Sequence, residues 1–371
     1  MESTIGGTRR HITDVASGQR ALGLDVHLVV AAEREPRFLA DLERLEREGC
    51  HVERLPMVRS ISPAKDLAHG TRIAHLLKSL RPDIVHTHSS KAGVLGRCAS
   101  IASGVGARVH TPHTFAFLFE AMFGPLKRRL FREIESGLAG ATRALIAVSE
   151  GEARTFRESG VVAPATIRVV PNGIDPAPWG AAEALDRTEL GVADAAPLAL
   201  VVGLLNSAKG QDLAIESLTR PGLEELQLLI AGPGEDHHAL EAQARELGVA
   251  DRVRLLGYRD DVPRLLATAD VLMLPSRWEG MPYVVLEAMA ARRPVVATPV
   301  DGATDLLQDG AAGRLAEAID VDALASATCE LLALSPDERR AMGERGAQRV
   351  AGDYTVARMV ERLVELYGSV A

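Results

Sequence analysis

In the segment RWEGMPYVVLEAMA, residues 277–290, Glu279 and Glu287 stand eight residues apart, with Gly280, Met281, Pro282 and an apolar run between them. Pro282 suits the first position of a helix, where its missing N–H would be unpaired in any case, so a helix is expected from about that residue. Glu279 then lies in the turn before the helix and Glu287 in its second turn. The unpaired amides of such an N-terminus, Tyr283 and Val284 among them, suit a phosphate. One carboxylate can accept hydrogen bonds from sugar hydroxyls and the other from a ribose. Standing alone, the frame reads more simply as two solvated glutamates flanking a buried helix.

The frame does not stand alone. In LVVGLLNSAKGQDLAIESL, a strand ends at Gly203 and Lys209-Gly210 opens the next helix, which places an ammonium where it can neutralise a diphosphate. Tyr258 closes the run RVRLLGY at a similar strand end, a further donor-side candidate. LLIAGPG lacks the third glycine of a dinucleotide fingerprint, so Gly232 and Gly234 are read as a tight turn.

HTHSSKAG and HTPHTF hold four of the eleven histidines directly after two strand-like runs. His86 and His88 would share one strand face, but no cysteine or acidic ligand follows at metal spacing, so no metal site is expected. A polar crevice wall touching sugar or phosphate fits better, with one histidine polarising a hydroxyl. His88, Lys91 and Phe115 are the candidates for the acceptor side. The Asp320-Val321-Asp322 triplet reads as a helix N-cap and not as a metal-diphosphate site.

Elements that would position these groups follow from periodicity. Apolar runs such as DVHLVV, DIVHTHS, ARVHTPHT, ALIAVSE, LALVVGLL, LQLLIAGPG, VLMLPS and PVVATPV alternate with helical stretches such as 63–80 and 235–248. Continuous Val/Leu/Ile runs of this kind indicate parallel strands with crossover helices, an α/β chain doubly wound in each half. Ligands of such sheets gather at the carboxyl ends of strands. A chain of 371 residues makes two domains of about 180 residues the natural division. The boundary is expected in PNGIDPAPWGAAEA, giving domains 1–178 and 179–352, with a final helix at 353–371 packing back on the first. The opening IGGTRRHITDVASGQRALG is a glycine turn and an amphipathic helix with no strand ahead of it, so a missing or truncated first strand is expected.

Hydrophobic content of 47% with 25% charged residues is globular, and a net charge of -8 gives no global attraction for nucleic acid. Cys50, Cys98 and Cys329 are odd in number and widely spaced, which fits a reducing compartment, hence a cytoplasmic location. No run is long enough to span a bilayer. Five of the seven phenylalanines, Phe115, Phe117, Phe119, Phe123 and Phe131, fall beside Lys127, Arg128, Arg129 and Arg132. This aromatic, basic stretch suits either an anionic membrane surface or ordinary core packing.

Taken in order, GGT at 6–8, HTHSSKAG, HTPHTF, VSE, VVPNGID, KG and EGMPYVVLE resemble a retaining glycosyltransferase of family 4, over nearly the whole chain. The resemblance implies the GT-B fold, two facing Rossmann-like domains with a cleft between them. It implies a nucleotide-sugar donor, UDP-linked in this reading, and a sugar or polyprenyl-linked acceptor in polysaccharide or glycolipid assembly. It implies that Glu279 meets the transferred sugar, Glu287 the donor ribose, Lys209 the diphosphate and Gly6-Gly7 the donor through a glycine loop. His113 matches the family's histidine beside the anomeric carbon, and no metal or other cofactor is expected.

Two positions depart from the family pattern. The arginine after the strand glycine is Leu204, removing a fork-shaped diphosphate donor, and the glutamate of the later GGxPE pattern is Asp305. Either the donor pocket is reorganised, with Arg9, Arg10 or Arg277 compensating, or activity is reduced. The alternatives are a nucleotide-sugar epimerase of the same fold and a non-catalytic sugar-nucleotide-binding protein.

Overall fold

A computed structural model of the chain describes residues 6–32, 35–58, 60–118, 123–193 and 195–371. It divides into two compact units, Met1–Asn172 with Val356–Ala371, and Gly173–Thr355. The crossings lie at 172/173 and 355/356 because Ile174, fully buried, pairs beside Thr355 and its amide donates to the Tyr354 carbonyl at 2.9 Å. The boundary expected at residue 178 therefore falls six residues earlier.

The first unit runs α1 (Gly7–Ala21), β1 (His27–Val30), α2 (Pro36–Arg47), β2 (His51–Arg54), α3 (Pro63–Leu80), β3 (Ile84–His88), α4 (Ser90–Ser103), β4 (Ala107–Thr111), α5 (Pro125–Ala139), β5 (Ala144–Ala147), α6 (Glu150–Ser159) and β6 (Ile167–Val169). Among the described residues its strands form a parallel pair, β1-β2, and a four-stranded parallel sheet in the order β3-β4-β5-β6. Alpha-helical crossovers are what parallel neighbours require, and α4 and α6 supply them. The question of a strand ahead of α1 lies outside the described residues.

The second unit runs α7 (Ala177–Gly180), β7 (Leu198–Val202), α8 (Gln211–Ser217), β8 (Gln227–Ala231), α9 (His237–Glu246), β9 (Val253–Gly257), α10 (Val262–Thr268), β10 (Val271–Leu274), α11 (Tyr283–Ala290), β11 (Val295–Ala297), α12 (Asp301–Leu307), β12 (Gly313–Leu315), α13 (Val321–Leu332) and α14 (Pro336–Asp353). Its six strands are all parallel in the order β12-β11-β10-β7-β8-β9. Consecutive residues Leu198 to Val201 are all buried, so helices cover both faces of this sheet. Each leucine buried in that way contributes about 1.5–3 kcal/mol relative to exposure.

The last helix, α15 (Val356–Val370), belongs to the first unit. Its Met359, Val360, Leu363, Leu366 and Tyr367 recur at helical spacing and pack against Val15 of α1 and against Val109, Ile146 and Val170. The Gln19 amide of α1 donates to the Tyr367 hydroxyl at 3.1 Å. No helix among the described residues is long and apolar enough to cross a membrane. All three cysteines are free thiols.

Candidate active site

β7 and β10 lie side by side although the chain visits β8 and β9 between them. Their carboxyl ends therefore form the topological switch point of the sheet, where an open α/β fold presents its ligand crevice. Lys209 comes from the loop after β7 and Glu279 from the loop after β10. The two meet there: Lys209 Nζ donates to Glu279 Oε1 at 2.5 Å, and the hydroxyl of buried Ser276 donates to the same oxygen at 2.9 Å. The crevice floor is backbone in close approach. A Cβ on Gly232 would stand 1.8 Å from the Gly203 carbonyl oxygen, so only glycine fits just past the carboxyl end of β8.

α11 begins at Tyr283, with Pro282 as its N-cap at φ -75° and ψ 115°, one residue later than the sequence suggests. The proline still presents no N–H, and the amides of Tyr283 and Val284 open the helix. Met281 and Pro282 are buried and Gly280 is half-buried in the turn between Glu279 and α11. Glu287 is half-exposed, while Val285, Leu286, Ala288, Met289 and Ala290 around it are buried. Tyr258 is exposed beyond edge strand β9, two strands away from β7.

Arg277 does not stand in for the arginine that Leu204 replaces. Its guanidinium donates to both carboxylate oxygens of Asp212 at 2.8 and 2.5 Å and to the Ser207 carbonyl at 2.8 Å. In the first unit, Arg9 pairs with Asp41 at 3.3 Å and Glu35 at 3.7 Å, and Arg10 with Asp14 at 3.5 Å. The Asp320 carboxylate caps α13 by accepting from the Ala323 amide at 2.8 Å, and Asp322 pairs with Arg220 at 2.5 Å.

The first unit gathers a histidine cluster. His86 and His88 share one face of β3, ring centroids 4.1 Å apart, while Thr87 points away and hydrogen-bonds His110 at 2.9 Å. His113 follows β4, its Nε2 3.3 Å from His88 Nδ1. A third element enters from the far end of the unit: His11 of α1, with ring centroids 5.4 Å from His88 and 4.9 Å from His113. His86 spends both ring nitrogens, on the Tyr367 hydroxyl at 2.6 Å and the Thr111 hydroxyl at 2.8 Å.

Burial governs the charge of the cluster. Desolvation lowers His11 to about 4, against a hydrogen bond to Asn172 that favours protonation, and lowers His86 to about 3. Desolvation, with neighbouring histidines adding to it, likewise carries His88 and His113 well below the ordinary value. All four are neutral imidazoles at pH 7. His113 and Thr114 adopt left-handed backbone angles, φ 51° and 76°. Buried Glu152 holds that bend, accepting from the Thr114 amide at 2.8 Å and its hydroxyl at 3.3 Å through one oxygen and from the Val148 amide at 2.8 Å through the other.

Two acceptor-side candidates take structural places. Phe115 is 1% exposed, stacked on Phe117 at 4.9 Å and against Phe156 at 4.6 Å, so it belongs to the core of the first unit. The Lys91 ammonium donates to the carbonyls of Val58 at 2.7 Å and Ser60 at 2.6 Å and pairs with Asp66 at 2.6 Å, which fastens a loop. Gly6, at φ 77° and ψ -135°, turns the chain into α1, and Gly7 is the first helical residue. The phenylalanine-rich stretch resolves in the same direction. Phe117 is buried, Phe131 packs against the same core, Phe123 stacks edge-on with Phe131 at 5.2 Å, and Phe119 lies outside the described residues.

Sequence reasoning missed His11 and Glu152. His11 sits in an amphipathic helix with nothing in its neighbourhood to mark it. Glu152 is the second acidic residue of VSEGE, a spacing that also describes an ordinary first helical turn.

Comparison with known proteins agrees with this architecture. Residues 6–173 match the model of the glycosyl transferase 4-like domain and residues 196–334 that of glycosyl transferases group 1. The UDP-Gal:alpha-D-GlcNAc-diphosphoundecaprenol alpha-1,3-galactosyltransferase of Escherichia coli is 30% identical over 322 residues, spanning 84% of this chain and 81% of that protein. A D-inositol 3-phosphate glycosyltransferase of Geodermatophilus obscurus is 33% identical over 311 residues, spanning 78% and 67%. HepE of Anabaena, crystallised with UDP, superposes with a TM-score of 0.81 at 21% identity, over 99% of this chain and 98% of that one. The chain belongs to the family 4 glycosyltransferases and has their GT-B fold. It is a glycosyltransferase.

Proposed function

We propose that the enzyme moves a sugar from a UDP-linked donor to an acceptor hydroxyl with retention of configuration, the acceptor being a sugar or a polyprenyl-linked sugar in cell-surface polysaccharide or glycolipid synthesis. The observation that carries this reading is the Lys209–Glu279 pair at the β7/β10 switch point. Lys209 and the first amides of α11 balance the charge of the leaving diphosphate, Glu279 accepts from hydroxyls of the transferred sugar and Glu287 from the ribose. His113, held neutral, accepts a hydrogen bond from a sugar hydroxyl where an imidazolium would not. Side chains and helix amides suffice for that charge, so transfer proceeds without a metal or other cofactor. The E. coli relative carries UDP-Gal and diphosphoundecaprenol in its name, which supports both ends of the reaction.

We also assign the protein to the cytoplasmic face of a membrane as a peripheral enzyme. α5 carries Leu126 at 81% and Leu130 at 49% exposure, with Lys127, Arg129 and Arg132 exposed beside them. Phe115, Phe117 and Phe131 serve the core, so the leucines and cations of α5 provide the contact.

The test is a panel of UDP-sugars with a diphosphoundecaprenyl-sugar acceptor in chelator-treated buffer, with product anomer read by proton NMR. Transfer that yields the donor's own anomeric configuration is expected. An inverted product, or UDP binding with no donor consumed, rejects the reading, and interconversion of the free nucleotide sugar identifies an epimerase.

A further inference from the structure

We propose that His11, His88 and His113 form a binding site for a zinc-class divalent cation, and that an ion there opposes sugar transfer by taking the imidazoles out of use. One ligand atom from each of the three lies within 4.8 Å of the other two. His88 Nδ1 and His113 Nε2 are already 3.3 Å apart. Two nitrogens bound to tetrahedral zinc at 2.0–2.1 Å stand about 3.3 Å from each other, so this pair is spaced as two zinc ligands are.

His11 supplies the decisive observation. It is 1% exposed, and its Nδ1 hydrogen-bonds Asn172 Oδ1 at 3.0 Å. A carbonyl oxygen only accepts, so the ring proton sits on Nδ1 and the lone pair on Nε2. That Nε2 is buried with no hydrogen-bond partner. An orphaned acceptor in a protein interior is destabilising, and an ion bound to it removes that penalty. The Nδ1–H···O bond is also the outer contact that fixes the tautomer of metal-bound histidines.

Further features favour the ion. His86, whose two nitrogens are spent on Tyr367 and Thr111, backs His88 without competing for the ion. Three histidines leave a fourth position open to water or a hydroxyl. By contrast, Asp25, His27 and His51 form an exposed group in which both histidines pair with Asp25, which makes it a control. The opposition to transfer rests on the role assigned to His113 above; the binding does not.

Cobalt(II) titration of the metal-free full chain at neutral pH tests the site, because tetrahedral nitrogen ligation gives intense visible bands. One ion per chain is expected, displaced by zinc, with at least a tenfold loss of affinity in His11→Gln and no change in Asp25→Asn. Far-UV circular dichroism checks the fold of each variant, and His88→Gln replaces His11→Gln should that one not fold. Absence of saturable binding overturns the proposal, and so does a loss that follows Asp25→Asn. UDP affinity measured on the same preparations separates the two readings: metal binding can fail while UDP binding stands. Zinc is expected to lower transfer in the wild type at one equivalent; unchanged transfer with the site filled overturns the opposition.

Discussion

Lys209 Nζ donates to Glu279 Oε1 at 2.5 Å, across 70 residues of sequence and from the loops after two parallel strands that are neighbours only because the strand order reverses between them. A cation and an anion held together at a switch point divide their labour when a charged diphosphate and a neutral sugar arrive together. Lys209→Ala should weaken UDP binding roughly 10- to 100-fold, the value of a charge-assisted hydrogen bond of about 1.5–3 kcal/mol. Glu279→Gln should lower kcat with little loss of UDP affinity, since its proposed partner is the sugar. Calorimetry with UDP and turnover at saturating donor read the two effects; a UDP affinity untouched by Lys209→Ala would remove the lysine from the diphosphate.

Leu204 tests whether a lost contact was replaced. The guanidinium of Arg277 is occupied by Asp212 and Ser207, so it offers no substitute fork. Leu204 follows Gly203 at the carboxyl end of β7 and is half-buried. Leu204→Arg should therefore tighten UDP about tenfold. Weaker binding in the calorimeter would mean that the loop between β7 and α8 has been rebuilt around the leucine.

Acid should unfold the first unit through its histidines. The folded values of His11, about 4, and His86, about 3, lie below the ordinary 6.5, and His88, His110 and His113 are lowered in the same direction. Between pH 6.5 and about 4 the unfolded chain binds protons that the folded chain refuses, so stability falls as pH falls through that window. Each such histidine contributes a slope of up to about 1.4 kcal/mol per pH unit. Thermal melts from pH 7.5 to 4.5 should show a steep loss below 6.5. His86→Phe should flatten it, and a flat profile in the wild type would mean the cluster is hydrated.

Nine apolar runs were enough to read nine of the twelve strands found among the described residues, and the parallel sheets they build. β2, β6 and β12 escaped because three or four residues such as HVER, IRV and GRL carry too few side chains to set a period. The helix at 63–80 was legible in full because proline opens it and its periodicity runs for five turns. At the switch point, Lys209 and Glu279 were legible because each sits beside a glycine at the end of an apolar run. The histidine cluster was half legible: His88 ends β3 and His113 follows β4, whereas His11 joins them only through the packing of α1. Phe115 misled for the opposite reason. Its position beside HTPHT suggested a crevice, but an apolar ring next to Phe117 and Phe156 gains more from burial than from contact with a sugar.

The surface of α5 leads to the last prediction. Leu126 and Leu130 are one turn apart and exposed, and Lys127, Arg129 and Arg132 are exposed on the same helix. Arg128 and Arg132 also donate to the carbonyls of Phe117 and Ser159, which orders their guanidiniums. Each cation near an anionic bilayer contributes about 1 kcal/mol, so four give weak, reversible association even with a net charge of -8. Apolar contact from the two leucines adds to it, and salt screens the charged part. Sedimentation with phosphatidylglycerol-rich vesicles should fall as salt rises and should be abolished when Lys127, Arg128, Arg129 and Arg132 are changed together to glutamine. Leu126→Ser with Leu130→Ser should reduce it at every salt concentration, because the apolar share is unscreened. A wild-type protein that stays in the supernatant at low salt would leave α5 as a solvated helix and return the acceptor to free solution.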